Sequence, residues 1–251
     1  MALHGRTGSG RERPAGFSLT ELLVVVSIIC LMMSLLLPIL TRAQRQGEQT
    51  HCLGNQHQLG LAWMQFAVEH DDQLCRPPTF PSELQPYVQD EEILQCKSAA
   101  KDDRKAVTRN HSRGVVWSLS EWRSYGLAAE MGGGSRDGVK GYSTLHSIPH
   151  PVDRLVFVDI EPGRFSEGFW PIMQNRGQWT WRPWSWPVSM QNITGRHNDG
   201  CNMTFADGHG DYTHWKDART RKLIKGLIAD PNQASVDNPD LKYVISGLAG
   251  K

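Results

Sequence analysis

Histidines and aspartates crowd residues 197–214, and they are the first candidates for chemistry in this chain. The set comprises His197, Asp199, Asp207, His209, Asp211 and His214. We favour a structural latch in which the His197 imidazole is hydrogen-bonded to the Asp207 carboxylate. The alternative is a metal site at Asp199, Asp207, His209 and Asp211, where carboxylates would suit calcium and imidazoles zinc. A hydrolytic site lacks support because the sequence contains no Gly-x-Ser-x-Gly or His-Glu-x-x-His motif.

Four tryptophans at alternate or nearby positions form a second candidate site: Trp179, Trp181, Trp184 and Trp186. Such rings can stack on sugars, but residues two apart also share one face of a strand, where they would pack in a core or a subunit contact. We favour packing. A membrane-anchored enzyme or sugar-binding domain, built on these rings and the His/Asp stretch, is the alternative hypothesis for the whole chain.

An uncharged apolar segment covers residues 22–40, and its length and flanking charges indicate on which side of a membrane the rest of the chain lies. Its 19 residues are close to the roughly 20 that a helix needs to cross the hydrocarbon core. Arg6, Arg11 and Arg13 precede it and predict a cytoplasmic N-terminus with the remainder outside. The sequence therefore predicts a single membrane span, for which an ordinary signal anchor is the simplest alternative.

Beyond the apolar segment the pattern becomes amphipathic. The residues of one helix face, at alternating spacings of four and three, are Cys52, Gln56, Leu59, Trp63 and Phe66. This spacing predicts a stalk helix continuous with the span, running from about Leu19 to Glu69. At 1.5 Å per residue such a helix would be roughly 75 Å long.

The remaining residues favour an α+β head of one long helix packed on an antiparallel sheet with long loops. The predicted strands are residues 114–119, 154–159, 201–206 and 212–215, and the predicted helical turns are 82–87 and 91–94. Asp207-Gly208 is a hairpin turn signal between the last two strands. The formal net charge of +1 gives no reason to expect a nucleic-acid partner.

The segment from Gly16 through Glu21, Gly-Phe-Ser-Leu-Thr-Glu, lies between a basic leader and the apolar run. This arrangement resembles the type IV prepilin signature. In that family a membrane aspartyl peptidase cuts after the glycine and methylates the new N-terminus, so the resemblance implies cleavage between Gly16 and Phe17 and N-methylation of Phe17. Pro38 lies where many pilins have a proline that bends the helix, since a proline inside a helix removes a hydrogen bond.

Glu21 has two compatible interpretations. Ser18 and Glu21 have the spacing of a capping box, in which the glutamate accepts a hydrogen bond from a free backbone N–H. The resemblance implies in addition that Glu21 pairs with the charged α-amine of Phe17 on a neighbouring subunit during assembly. A cationic partner would offset the cost of placing a carboxylate in lipid.

A second resemblance lies in the head. Nine residues separate His197 from Asp207-Gly208, as in the H-X9-DG motif of a large group of bacterial pilin-like secretion proteins. Outside the span there are four cysteines, which allow three pairings on sequence alone. Cys52 and Cys96 lie within landmarks of that group, so the resemblance implies a disulfide between these two. Some secretion pseudopilins bind calcium near their C-terminus, although no cofactor is expected here.

Together these resemblances imply a non-enzymatic pilin-like subunit of a type II secretion or type IV pilus-like system. The expected parts are a leader (1–16), a membrane and assembly helix (17–40), a stalk helix (41–70) and a head (71–251). The expected partners are the prepilin peptidase/methyltransferase, further copies of the chain and other pseudopilins. The expected location is the bacterial inner membrane, with assembly into a periplasmic or surface fibre.

Overall fold

The structure is a computed structural model that describes residues 18–77, 79–88, 90–99, 123–134, 139–160, 172–175, 178–181, 194–225, 227 and 231–248. The chain divides into two compact units, residues 1–44 and 45–251. Several predicted features lie outside the described residues. These are Gly16, Phe17, the strand at 114–119, Trp184 and Trp186.

A single helix, α1, covers Leu19–Glu69 and its 51 residues confirm the predicted bounds. The helix ends where Asp71 and Asp72 take left-handed backbone conformations, with φ of 52° and 68°. Aspartate tolerates this region better than most residues. The Asp72 N–H donates to the Ala67 carbonyl at 2.9 Å, which satisfies one of the free carbonyls of the last turn.

An antiparallel sheet of four strands follows, which confirms the α+β prediction. The described residues form six strands, of which four belong to this sheet. The six are β1 (Tyr125–Leu127), β2 (Leu155–Asp159), β3 (Ile172–Asn175), β4 (Gln178–Trp181), β5 (Gly200–Phe205) and β6 (Gly210–His214). The sheet order is β1-β2-β5-β6, and β3 pairs with β4 separately. Asp207-Gly208 lies between β5 and β6, and Gly208 has a φ of +89°, so the hairpin prediction is confirmed.

Short helices connect and flank the strands. They include α2 (Phe80–Leu84), α3 (Ala218–Ile224), α4 (Pro239–Leu248) and the 3-10 turns Gln85–Tyr87, Glu91–Leu94, Leu145–Ser147, Pro151–Asp153 and Pro231–Ala234. Both predicted helical turns are therefore confirmed, whereas α3 and α4 were not expected. Their start signals were present, because the Asp217 and Asn238 side chains accept hydrogen bonds from backbone N–H groups of the first helical turns.

Within residues 45–251, α1 contributes one face to the core. All five residues of the predicted stripe are buried, from 0% exposure for Cys52 to 8% for Phe66. Gly60 permits a close approach to the sheet, because a Cβ atom there would meet the Thr204 Cγ2 of β5 at 2.8 Å. The amphipathic interpretation of the stalk is therefore confirmed.

One side chain in the core carries a carboxyl group that has no hydrogen-bond partner among the described residues. Glu130 is 2% exposed, and neither carboxylate oxygen has a hydrogen-bond partner among the described residues. Burial raises the pKa of Glu130 well above its ordinary value of 4.5, although Arg154 opposes the shift. The protonated carboxyl is therefore the form that this part of the core favours.

We expect Glu130→Gln to flatten the dependence of the unfolding free energy on pH. A raised pKa in the folded state stabilises the fold fully below about pH 4.5, and this contribution is lost as pH rises towards the folded pKa. The loss amounts to about 1.4 kcal/mol for each pH unit in that window. Denaturant unfolding of the detergent-solubilised chain at several values between pH 5 and pH 8 measures it. Glu92→Gln, at an exposed position, is the control, and an unchanged slope in Glu130→Gln would contradict the assignment.

Candidate functional site

The N-terminus of α1 carries a hydrogen-bonded cap. The Ser18 N–H donates to Glu21 Oε2 at 2.9 Å, and the Thr20 N–H donates to Ser18 Oγ at 3.3 Å. Glu21 thus closes the first helical turn, which confirms the capping interpretation. Its carboxylate is exposed, so it also remains available to a cation from another molecule.

The first part of α1 has an apolar surface that no described residue covers. Its large aliphatic side chains between Leu19 and Leu40 are 46–81% exposed. By length and composition this helix is able to cross a membrane. Surface of this kind is stable only against lipid or other apolar helices. The helix continues through Pro38 without interruption, and the bend implied at that residue stays a prediction.

A second site lies inside residues 45–251, where four elements bring titratable side chains together. We call Cys52, Cys96, Asp159 and His197 the buried cluster. Cys52 lies on α1, Cys96 follows the turn Glu91–Leu94, Asp159 ends β2, and His197 precedes β5. Each is between 0% and 3% exposed.

Short distances join the four side chains of the buried cluster. The Cys52 and Cys96 Sγ atoms are 2.8 Å apart, and Cys96 Sγ lies 3.5 Å from His197 Nε2. The same Nε2 lies 3.6 Å from Asp159 Oδ2. A thiol pair, an imidazole and a carboxylate thus form one chain of contacts.

Asp159 is held from two sides. Its Oδ1 accepts a hydrogen bond from Gln56 Nε2 of α1 at 2.8 Å, and its Oδ2 accepts one from the Asn202 N–H of β5 at 2.9 Å. Gln56 Nε2 also lies 3.2 Å from the Asn202 carbonyl. The carboxylate therefore links the stalk helix to two neighbouring strands.

A tight turn fixes His197. Asn198 and Asp199 have φ of 51° and 56°, and the Gly200 N–H donates to the His197 carbonyl at 2.9 Å. Asparagine and aspartate accept the left-handed region more readily than other residues. The Tyr212 hydroxyl donates to the same carbonyl at 2.8 Å, so the backbone of the histidine is held from both β5 and β6.

Proximity shifts the titration of the cluster. The hydrogen bond from the Cys52 thiol lowers the pKa of Cys96, with His197 and Arg196 acting in the same direction, and correspondingly raises the pKa of Cys52. Burial alone would lower the pKa of His197, but Cys96 and Asp159 raise it. Burial raises the pKa of Asp159 to about 6, against the charge of His197. Within the thiol pair, these contacts therefore give Cys96 the lower pKa.

A comparison with known protein families matches the N-terminal segment of the chain. Residues 12–37 match the prokaryotic N-terminal methylation motif. The match covers Gly16, Phe17, Glu21 and most of the apolar part of α1. Neither the curated proteins nor the solved structures give a match to the chain.

The methylation motif supports a type IV pilin-like protein. It implies processing by prepilin peptidase and assembly with other pilin subunits, and it points to a structural subunit rather than an enzyme. The long apolar helix that follows is consistent with anchoring in the inner membrane. The α+β arrangement of α1 and the four-stranded sheet is consistent with a pilin-like fold.

The predicted latch between His197 and Asp207 is wrong. His197 precedes β5 and Asp207 follows it, so the six residues of the strand separate them by roughly 20 Å at 3.3 Å per residue. His197 instead contacts Cys96 and Asp159, and the Asp207 carboxylate accepts hydrogen bonds from the backbone and ring of His209. The nine residues between His197 and Asp207 are therefore strand β5 and the turn residues on either side of it.

The other carboxylates proposed for a metal have separate neighbours. Asp199 Oδ1 lies 2.8 Å from Lys225 Nζ, and Asp211 Oδ1 accepts from the Tyr212 N–H at 2.7 Å. Among the described residues, the group of three with metal-ligand atoms close together is Cys52, Cys96 and His197, whose atoms lie within 4.8 Å of one another. Metal binding at Asp199, Asp207, His209 and Asp211 stays a hypothesis, because among the described residues these four do not form a group with ligand atoms close together.

Two of the four tryptophans lie on β4. Trp181 is 1% exposed and belongs to the core, while Trp179 is partly buried against it. A fully buried indole offers no face to a sugar, so the packing interpretation is confirmed for Trp181. Sequence reasoning missed Asp159 as a cluster residue. Its signal was an aspartate ending an otherwise apolar strand, a position where a carboxylate requires partners.

Proposed function

We propose that this chain is a structural subunit, of pseudopilin or pilin-like type, in a bacterial type II secretion or type IV pilus-like system. The observation that carries the proposal is the methylation motif at residues 12–37, which extends into the apolar first part of α1, where the large aliphatic side chains are 46–81% exposed. The H-X9-DG pattern of His197 and Asp207-Gly208 supports the secretion-associated group. The chain performs no chemistry in this role.

Each part of the chain has a mechanical task on this proposal. The peptidase removes residues 1–16 on the cytoplasmic side, so the apolar helix survives processing and anchors the subunit. In the fibre the exposed side chains between Leu19 and Leu40 pack against the same region of neighbouring subunits and leave the lipid. The positive end formed at Phe17 pairs with Glu21 of a neighbour, and the head stays outside the cytoplasm.

The N-terminal mass tests this proposal. Chain purified from cells that contain the prepilin peptidase should begin at Phe17 and carry one added methyl group. Chain from otherwise identical cells without the peptidase should begin within the leader and lack the methyl group. Peptide mass spectrometry distinguishes the two forms. A chain that retains residues 1–16 in the presence of the peptidase would overturn the proposal in favour of a plain signal anchor.

A further inference from the structure

The two sulfur atoms of the buried cluster lie at an unusual separation. Non-bonded carbon atoms rest roughly 3.5–4.0 Å apart, and sulfur is larger, so 2.8 Å is too short for ordinary contact. A tetrahedral zinc ion about 2.3 Å from each sulfur would require them roughly 3.8 Å apart. A disulfide bond requires about 2.05 Å. Both cysteines are free in the structure, so the disulfide between them stays a prediction, and their separation is closer to that of a disulfide than to that of a zinc-bound pair.

We propose that Cys52 and Cys96 are the site of a disulfide, and that His197 and Asp159 assist its formation with an external disulfide donor. The head lies in an oxidising compartment on the proposed function, and the inference rests on that placement. The partner is defined by its chemistry as a thiol–disulfide oxidant outside the cytoplasm. His197, which the sequence motif singles out, thereby has a specific task.

The surroundings of the two thiols determine which reacts first. Cys96 lies in a loop, between half-buried Gln95 and exposed Lys97, so exposing it requires fewer residues to move than exposing Cys52 does. Cys52 lies on the buried face of α1, and exposing it requires the helix to leave the sheet. Cys96 is therefore the thiol that meets the donor.

The charges around Cys96 favour the thiolate, which is the reactive form. The groups that face it, the Cys52 thiol or its histidine are Cys52 from α1, Tyr125 from β1, Asp159 from β2, and Arg196 and His197 from the turn before β5. The Cys52 thiol donates to Cys96 Sγ, and His197 Nε2 is placed to take the Cys96 proton. Asp159 stabilises the imidazolium that results.

Two exchange steps complete the reaction. The Cys96 thiol passes its proton to His197, and its sulfur attacks the donor disulfide, so that the donor's S–S bond breaks and one donor thiolate leaves. The Cys52 sulfur then attacks Cys96 Sγ, breaking the mixed disulfide and releasing the second donor thiolate. The two protons lost by the cysteines end on the donor thiolates. Two thiols are thus oxidised while one disulfide is reduced to two thiols.

The bond would join α1 to the loop after Leu94 across 44 residues of sequence. Both segments carry polar contacts that already hold them together, such as Ser98 Oγ donating to Glu48 Oε2 at 2.8 Å. A disulfide there would prevent the stalk part of α1 from separating from the head when the subunit is pulled into a fibre. It would also raise the Tm of the head by restricting the unfolded chain.

Peptide mapping of the full mature chain tests the bond itself. Chain extracted from membranes with a thiol-blocking reagent and digested without reductant should yield one peptide pair linked through Cys52 and Cys96. Cys30, Cys75 and Cys201 should all be blocked. Cys201→Ser, at a buried position outside the cluster, should retain the link, and Cys96→Ser should lose it. Five blocked cysteines, a different pairing or a bound zinc ion with free Cys52 and Cys96 would overturn the proposal.

Reoxidation kinetics test the part assigned to His197. The reduced chain in detergent is mixed with oxidised glutathione as the disulfide donor at pH 6 and pH 8.5. We expect His197→Gln to slow linkage severalfold at pH 6, because Cys96 loses both its proton acceptor and a neighbouring positive charge, with the difference closing at pH 8.5, where hydroxide removes the proton instead. His146→Gln, at an exposed position, should match the wild type.

Equal rates of His197→Gln and wild type at both pH values, or equal slowing at both, would overturn the assisting role. Near-UV circular dichroism of the reduced variant checks that it folds, and His197→Asn replaces it if it does not. The peptide map requires no histidine variant. The N-terminal mass is measured on the same preparation, so a failed disulfide with methylated Phe17 refutes this inference and leaves the proposed function intact.

Discussion

Glu21→Ala is expected to reduce incorporation of the subunit into fibres at least about tenfold, while the head folds as before. On the proposed function the carboxylate neutralises the α-amine of Phe17 on the adjoining subunit, and an unpaired charge in an apolar helix bundle is strongly unfavourable. Loss of the hydrogen bond from the Ser18 N–H costs only about 1 kcal/mol at a helix end. The fraction of chain in sheared fibres, compared with the membrane fraction, measures the effect.

Two matched variants separate charge from capping. Glu21→Gln keeps an oxygen that can accept from the Ser18 N–H but removes the charge, so it should fail to assemble like Glu21→Ala. Thr20→Ala removes a neighbouring side chain of the same cap, whose hydroxyl contacts Ser18 Oγ, and leaves the charge, so it should assemble normally. Normal assembly of Glu21→Ala would contradict the role of the carboxylate.

Asp159→Ala is expected to destabilise the head by about 3–5 kcal/mol, the range found when one partner of a buried charged network is removed. The change would leave Gln56 Nε2 and the Asn202 N–H without the acceptor that joins α1 to β5, and it would strip His197 of its carboxylate. Most domains are stable by only 5–15 kcal/mol, so the variant should lose a large share of its stability and unfold at a clearly lower denaturant concentration.

Equilibrium unfolding of the reduced chain in denaturant measures the loss, with tryptophan fluorescence as the signal because Trp63 and Trp215 are buried. Asp211→Ala removes an exposed carboxylate from β6, the strand at the edge of the sheet, and should change the unfolding free energy by less than about 0.5 kcal/mol. A loss below about 1 kcal/mol in Asp159→Ala would show that the hydrogen bonds to this carboxylate are not structural.

Local patterns determined much of the fold. The helix Leu19–Glu69 follows from apolar content and then from the spacing of Cys52, Gln56 and Leu59, because residues three and four apart share a helix face whatever lies opposite. The β5–β6 hairpin follows from Asp207-Gly208, since the turn residues specify their own backbone conformation. Strands β1, β3 and β4 and helices α3 and α4 were missed, because their short segments carry weak periodicity.

The sequence by itself determined an N-terminal methylation motif, a helix that is long and apolar enough to cross a membrane and has one acid near its start, and an amphipathic stalk. Each of these features depends only on residues that are close together in the sequence. Only the tertiary structure decided that His197 contacts Cys96 and Asp159 instead of Asp207, and that Asp159 belongs to the cluster at all. These partners lie 38–101 positions away from His197 in the chain. The order in which strands pair sets such contacts, and sequence spacing carries no record of that order.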